Sequence, residues 1–284
     1  MKYAFISDQR HQHSVSLLCR ALGVSRSGYA HWCGRGLSKR AQSDQVLLSC
    51  IEQVHERHRG HSGALKTWGV LKAEGVQCGK HQVARIRHQH GIVARRRRRF
   101  IVTTRSKYTV WRAPNLLARD FYRSAPDMAW VGDVTYVPTR EGHLYLCVLI
   151  DLYSRTIVGW SISEHNDVVL NLGALTMAIE NRKPAAGLIH HTDQGRPYTA
   201  TTYLDRLASA GMRPSMSRKG DCWDNAVAES FFATLEFELL ENRPFASREE
   251  ARDKLPEFIE VFYNRQRAHQ TLDYKTPLEM ENVA

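Results

Sequence analysis

Ala129-Trp130-Val131-Gly132-Asp133-Val134-Thr135-Tyr136-Val137 alternates along its length as a half-buried strand does, with Trp130, Val134 and Tyr136 on one face. Asp133 sits mid-strand and faces opposite Trp130. Arg140 to His143, containing Gly142, reads as a turn. Leu144 to Ile150 is then a continuous apolar run, the mark of a strand covered on both faces. A short turn at Tyr153–Arg155 leads to a third strand, Thr156 to Ile162. Three strands this closely spaced predict an antiparallel meander.

Downstream the texture alternates. Asn166 or Asp167 can cap a helix whose broad apolar face is Val169, Leu170, Leu172, Leu175, Met177, Ala178 and Ile179. Pro184 and Gly187 punctuate, and Leu188 to Thr192 forms a short strand ending on Asp193. Tyr203 to Ala210 reads as a helix closed by Gly211, and Met212 to Ser217 as a fifth strand. Arg218 to Trp223 is a polar loop, Asn225 to Leu240 a helix with Glu229 near its start, and Ser247 to Asn264 a last helix. The order β-β-β-α-β-α-β-α-α predicts an α/β fold, a mixed five-stranded sheet with flanking helices.

Upstream the chain is all-α. Val15, Leu17, Leu18, Ala21 and Leu22 recur at helical spacings, Gly23 turns the chain, and Ser25 can cap a helix through Tyr29 and Trp32. This is a helix-turn-helix candidate. Leu47, Leu48, Ile51 and Val54 mark a further helix. Ala64 to Glu74 and Lys80 to His90 then repeat the arrangement; the alternative is a helical bundle without groove contact. Arg95, Arg96, Arg97, Arg98 and Arg99 form a run that cannot be buried and suits phosphates, or a solvated linker that orders on DNA. Pro114 to Pro126 reads as a tether. The domain plan is a helix-turn-helix region over 1–94, a basic linker over 95–125 and an α/β core with a helical tail over 126–284.

Charge follows this plan. Of a net +11, residues 1–125 carry 24 Lys+Arg against 6 Asp+Glu, whereas residues 126–284 carry 16 against 23. A basic front on a mildly acidic back points to a polyanion, with nucleic acid first. Six scattered cysteines with no C-x-x-C pair read as reduced thiols in the cytosol. No apolar run spans a bilayer, so no membrane role is expected. His55, His58 and His61 are evenly spaced, but without a following C-x-x-C zinc is set aside, and they read as solvated or phosphate-facing.

Asp133, Asp193 and Glu229 come from a strand, a strand end and a helix that can pack across the sheet. Phosphodiester chemistry asks for two hard divalent ions held by a few carboxylates brought together from different elements. We read the three acids as one such metal-binding, catalytic set for Mg²⁺ or Mn²⁺. Singly, Asp133 and Asp193 also fit structural carboxylates satisfied by backbone amides. Arg218 and Lys219, in the loop before Glu229, are candidate phosphate contacts, as are His190, His191 and Gln194 beside Asp193, although His190 also fits simple packing.

Three stretches, Trp130-Val-Gly-Asp133-Val-Thr-Tyr, His191-Thr-Asp193-Gln-Gly195 and Gly220-Asp-Cys-Trp-Asp-Asn225-Ala-Val-Ala-Glu229-Ser-Phe-Phe, resemble the catalytic (OrfB-type) subunit of bacterial insertion-sequence transposases of the insertion-sequence-three family. Thirty-five residues separate Asp193 from Glu229, the interval of this DDE group. The tail from Tyr263 to Pro277 and the opening Leu22-Gly-Val-Ser-Arg-Ser-Gly-Tyr29 also fit. The resemblance implies a retroviral-integrase-like core with an RNase H-like fold. It further implies metal-dependent cleavage at an element end and strand transfer by direct 3′-hydroxyl attack. Asp133, Asp193 and Glu229 would be the catalytic residues and two ions the cofactors. The chain departs from the family pattern at Glu236, where Lys or Arg is frequent, and at Ser62-Gly63, near the place of a Tyr-Gly pair. The competing reading is a non-enzymatic DNA-binding remnant or regulator of transposition with an inactive core; a stand-alone RNase H-like nuclease fits the helical front poorly.

The resemblance implies element ends and target DNA as partners and a homo-oligomer on DNA. It also implies an upstream DNA-binding product joined by frameshifting, and a place in the bacterial cytosol at the nucleoid.

Overall fold

The computed structural model describes residues 1–36, 38–95, 113–217, 225–241 and 243–283. Two compact units emerge, Met1–Cys50 and Ile51–Ala284.

In the first unit, helices α1 (Lys2–Gln9), α2 (Val15–Ala21) and α3 (Arg26–Gly34) close around Ile6, Leu18, Cys19 and Tyr29. Ser14 and Ser25 cap α2 and α3, the latter as its position predicts, their hydroxyls accepting from Leu17 N (3.4 Å) and Gly28 N (3.0 Å). Gly23 takes a left-handed φ of +62° in the turn between them. Helix α4 (Lys39–Arg57) follows.

The second unit is built on one sheet. Strands β1 (Ala129–Thr139), β2 (Gly142–Asp151) and β3 (Ile157–Ser163) form the predicted antiparallel meander. Helix α7 (Val168–Arg182) crosses to β4 (Ile189–Thr192), and α8 (Thr201–Ser209) to β5 (Arg213–Met216), both parallel additions, so the strand order is 3-2-1-4-5. The sheet is mixed and five-stranded, as expected.

Alternate residues of β2 explain its unbroken apolar run. Leu144, Leu146, Val148 and Ile150 enter one core with Phe231, Leu235, Leu255, Phe258 and Phe262; Cys147 and Leu149 enter another with Leu170, Ala174, Leu175, Tyr203 and Leu207. Each fully buried leucine of this kind contributes roughly 1.5–3 kcal/mol. Asp167 is the α7 cap, its carboxylate accepting from Leu170 N at 3.0 Å. Gly159 lets α7 lie close on β3, because a Cβ there would run into the Ala174 carbonyl and Ala178.

The opposite face is covered by α9 (Ala226–Leu235) and α10 (Arg248–Pro256), whose hydrophobic sides supply the first core. Each runs on into π-helical backbone, over Glu236–Leu240 and Glu257–Gln266. The second begins after Pro256, whose missing N–H interrupts the regular ladder. A capping box at Thr276 and Glu279 starts the last helix, α11 (Pro277–Glu281). Residues 113–125, within the stretch read as linker and tether, lie along the core: Ala113 and Leu117 are buried, and Leu116 N donates to Ser215 Oγ at 2.9 Å.

Helices α5 (Ala64–Ala73) and α6 (Lys80–Gln89) make the predicted second helical pair. Buried Arg87 clamps it, donating to Thr67 Oγ1 (3.0 Å) and Ser62 O (2.9 Å). The pair is seated on the C-terminal tail: Arg59 lies 4.5 Å over the Phe262 ring, His61 meets Phe237 edge-on at 4.6 Å, and Gly69 packs against Tyr274.

Candidate active site

Asp133 lies in the middle of β1, in register with Val148. Its neighbours Val131 and Val137, two residues and four residues away, belong to the core beneath α9, so Asp133 points to that face and away from Trp130, as the alternation predicts. Both carboxylate oxygens are held. Oδ1 accepts from Val134 N and Oδ2 from Asn225 Nδ2, each at 2.8 Å. Burial pushes the Asp133 carboxyl up to about 8, and the Asp193 charge adds to the effect; the Val134 amide opposes it, Glu229 adds again, and Asn225 opposes.

Asp193 is positioned by the parallel pairing of β4 with β1, which sets Trp130 beside His190 and Val131 beside His191. Asp193 follows directly on the end of β4, near enough to Asp133 for its charge to be felt there. The preceding strand is fixed from both sides. His190 Nε2 shares a hydrogen bond with Tyr203 OH, and His191 Nδ1 with Ser215 Oγ, each at 2.8 Å, and both rings are buried. Burial pulls His190 down to about 3, so it is a neutral packing residue, the simpler of its two sequence readings. Gln194 Nε2 donates to Ser217 O at 2.8 Å, which ties the turn after Asp193 to the end of β5. Protein crowding raises the Asp193 carboxyl, while Gly195 N, donating to its Oδ1 at 2.8 Å, opposes the rise.

Glu229 stands on the first turn of α9, beside buried Ala228 and two residues before buried Phe231, and is itself exposed. Desolvation raises its carboxyl. Among the described residues, no three His, Cys, Asp or Glu side chains are drawn together closely enough to hold an ion. The donor chemistry nonetheless suits one. The set is all carboxylate, and Asp133 feels both other acids as charges that make it retain a proton. A hard divalent cation would relieve that mutual repulsion, and oxygen ligands are what such cations take.

Of the predicted DNA contacts, Arg95 is ion-paired with Glu241, and its backbone N donates to Gly60 O at 3.1 Å. Arg96, Arg97, Arg98, Arg99, Arg218 and Lys219 lie outside the described residues, as does Trp223. The histidines read as solvated or phosphate-facing are otherwise disposed. His58 is only 2% exposed, and burial, with Lys66 and Arg57 nearby, pulls it down to about 3. The reason is the seating of α5 and α6 on the tail, which covers what looks in sequence like an outward helical face.

Sequence reasoning also passed over Asn225. The available signal was its spacing: four residues before Glu229, one helical turn away and on the same side of the helix.

Residues 123–222 and 210–277 match two models described as integrase core domain, and residues 42–100 match an HTH-like domain. The chain is 41% identical over 260 residues to an uncharacterized 31 kDa protein of insertion element IS600 from Shigella sonnei, covering 92% of this chain and 96% of that one. It is 38% identical over 284 residues to the transposase InsF for insertion sequence IS3A of Escherichia coli (strain K12), covering 99% of both chains. Among solved structures, the HTLV-2 integrase catalytic core domain in complex with magnesium is similar with a TM-score of 0.43 and 18% identity, over 56% of this chain and 98% of that one. A helix-turn-helix-like front, an integrase core and full-length identity to these relatives lead to one assignment: the chain belongs to the IS3 family of insertion-sequence transposases.

Proposed function

We propose that this transposase cleaves the ends of its insertion sequence and joins them to target DNA, with Asp133, Asp193 and Glu229 as the catalytic carboxylates. The observation that carries the reading is the state of Asp133: mid-strand, held on both oxygens, and raised to about 8 in part by the charges of the other two acids. Sites that shift acids this way, by burial and by one another, are where function concentrates. Asp133, Asp193 and Glu229 would hold two Mg²⁺ or Mn²⁺ ions, which supply charge stabilisation at the attacked phosphate.

In the first reaction water attacks a phosphodiester at the element end, and the P–O3′ bond breaks to free a 3′-hydroxyl. In the second, that 3′-oxygen bonds to a target phosphorus, its proton is lost, and the target P–O3′ bond breaks to leave a new 3′-hydroxyl. No bond forms between protein and DNA. The carboxylates' own part is to be carried on fixed elements, Asp133 on β1, Asp193 at the end of β4 and Glu229 on α9, and binding of the ions would draw the three together.

The α2–α3 and α5–α6 pairs would grip the DNA, with the basic run from Arg95 to Arg99, Arg218 and Lys219 on phosphates. Two ends must be held together, so a homo-oligomer on DNA is part of the proposal, as is an upstream product fused by frameshifting. The domain plan of 1–94, 95–125 and 126–284 belongs to the same reading.

The test is strand transfer in Mg²⁺ or Mn²⁺ with the element's own end as donor, run with and without the upstream product. Joined products from the wild type and none from Asp193→Asn are the expected result. End binding without cleavage in every condition would instead support a binding-only remnant.

A further inference from the structure

Asn225 opens α9, yet its side chain makes no capping bond to that helix. It reaches across the fold to a residue 92 positions earlier and donates Nδ2–H to Asp133 Oδ2 at 2.8 Å. The side chain is 6% exposed, and its Oδ1 is buried with no hydrogen-bond partner among the described residues. An asparagine serving only to begin a helix would turn an oxygen onto the first-turn amides. Here that use is forgone and an acceptor is left over, so what the position keeps is the donor aimed at Asp133.

The contact has two consequences. With Val134 N on Oδ1 and Asn225 Nδ2 on Oδ2, the Asp133 carboxylate plane is fixed by one donor on each oxygen, while each oxygen keeps a free lone pair. The same amide ties the N-cap of α9 to β1. Glu229 is one turn further along, so the tether also sets where Glu229 stands relative to Asp133.

We propose that Asn225 is a positioning residue of the active site, which orients Asp133 and anchors the start of the Glu229 helix, so that divalent ions have less to rearrange when they draw the carboxylates together. This rests on the reading of Asp133, Asp193 and Glu229 as the metal ligands. A neutral amide suits the task. It donates to the carboxylate without adding a charge that would compete with a cation, as partners behind metal-binding carboxylates commonly do.

Mn²⁺ binding to the full chain, followed by electron paramagnetic resonance, tests the inference without relying on turnover. Asn225→Ala and Asn225→Ser, the latter too short to reach Asp133, are compared with wild type and with Asp193→Asn. The expected result is a 10- to 100-fold loss of Mn²⁺ affinity in both Asn225 variants. Their metal-free thermal midpoints should stay near wild type, because loss of the donor to Asp133 is offset by removal of an unpartnered buried acceptor. In strand transfer, saturating Mn²⁺ should restore part of the rate, as a positioning role requires and a folding role does not. Mn²⁺ affinity within twofold of wild type in both variants, while Asp193→Asn has lost it, overturns the Asn225 role and leaves the triad standing. Unchanged binding in Asp193→Asn itself instead overturns the triad, and with it this inference.

Discussion

Glu238 and Arg267 form a two-pronged ion pair, Nε to Oε2 at 2.9 Å and Nη2 to Oε1 at 2.8 Å, between the π-helical end of α9 and the C-terminal tail. The side chains are only 7% and 15% exposed. Burial works against the Glu238 charge, but the Arg267 hydrogen bonds and charge outweigh it and hold the carboxyl below its usual range. Removing one partner strands the other, so Glu238→Gln and Arg267→Met should each cost about 3–5 kcal/mol. The double variant should cost less than the sum of the two. Urea unfolding of the four proteins measures this, and strictly additive losses would show that the pair is not coupled.

Acid should loosen the same seam through His58. Its folded value of about 3 lies below the ordinary 6.5, with burial first among the causes and Lys66 and Arg57 next. Between those values the unfolded chain binds the proton and the folded one does not. Stability is therefore unaffected by His58 above pH 6.5 and falls as pH drops toward 3, by about 1.4 kcal/mol per unit. From pH 6.5 to pH 5 the loss is roughly 2 kcal/mol. Glu238 falls in the same direction, so the check is the difference between wild type and His58→Gln, whose pH curve should be flatter by about that amount.

Gly69 should resist the substitution that helix propensity favours. Alanine would ordinarily gain about 1 kcal/mol in mid-helix. A Cβ at Gly69, however, would come within 2.5 Å of three ring atoms of Tyr274. Overpacking of this kind costs typically about 1–3 kcal/mol, so Gly69→Ala should lower the thermal midpoint. Tyr274→Ala in the same chain should recover the helical gain. A Gly69→Ala protein more stable than wild type would mean that the helical pair does not sit against the tail in solution.

Glu236 offers a charge test. It ends α9, seven residues past Glu229, and burial raises its carboxyl. Glu236→Lys should tighten binding to element-end DNA and steepen the dependence of log affinity on log salt by about one counterion. Fluorescence anisotropy across a salt series would read this directly, and an unchanged slope would place the residue off the DNA path.

Much of the architecture was legible because its signals are local. The meander follows from alternation in 129–137 and from an apolar run in 144–150 that two cores share. The caps at Ser25 and Asp167 are hydrogen bonds between residues three apart, so a few neighbouring letters reveal them. Boundaries moved by a residue or two, as with β3 at Ile157–Ser163 against an expected Thr156–Ile162.

Other features lacked a local signal. Lys2–Gln9 is too polar to show a helical stripe, and the helix is held by buried Ile6 and by Tyr3, whose ring lies 6.3 Å from Tyr29 and 6.0 Å from Trp32. The π-helical stretches over Glu236–Leu240 and Glu257–Gln266 continue the apolar spacing of regular helix, so no periodicity marks them. His58 reads in sequence as an exposed residue and is buried near Lys66, Glu238 and Arg267, the last two far along the chain.

The sequence by itself determined the order of the five strands and of the helices from α2 onward, most of their turns, and the oddity of Asp133 in a strand otherwise built to be buried. Each rests on forces acting within a few residues: side-chain period, backbone satisfaction at helix ends, and the expense of a carboxylate in an apolar strand. Only the tertiary structure decided that Asn225 reaches Asp133, that Asp193 stands near it, and that His58 is covered. Those contacts depend on strand register and helix placement, which many weak packing terms set together across the whole chain.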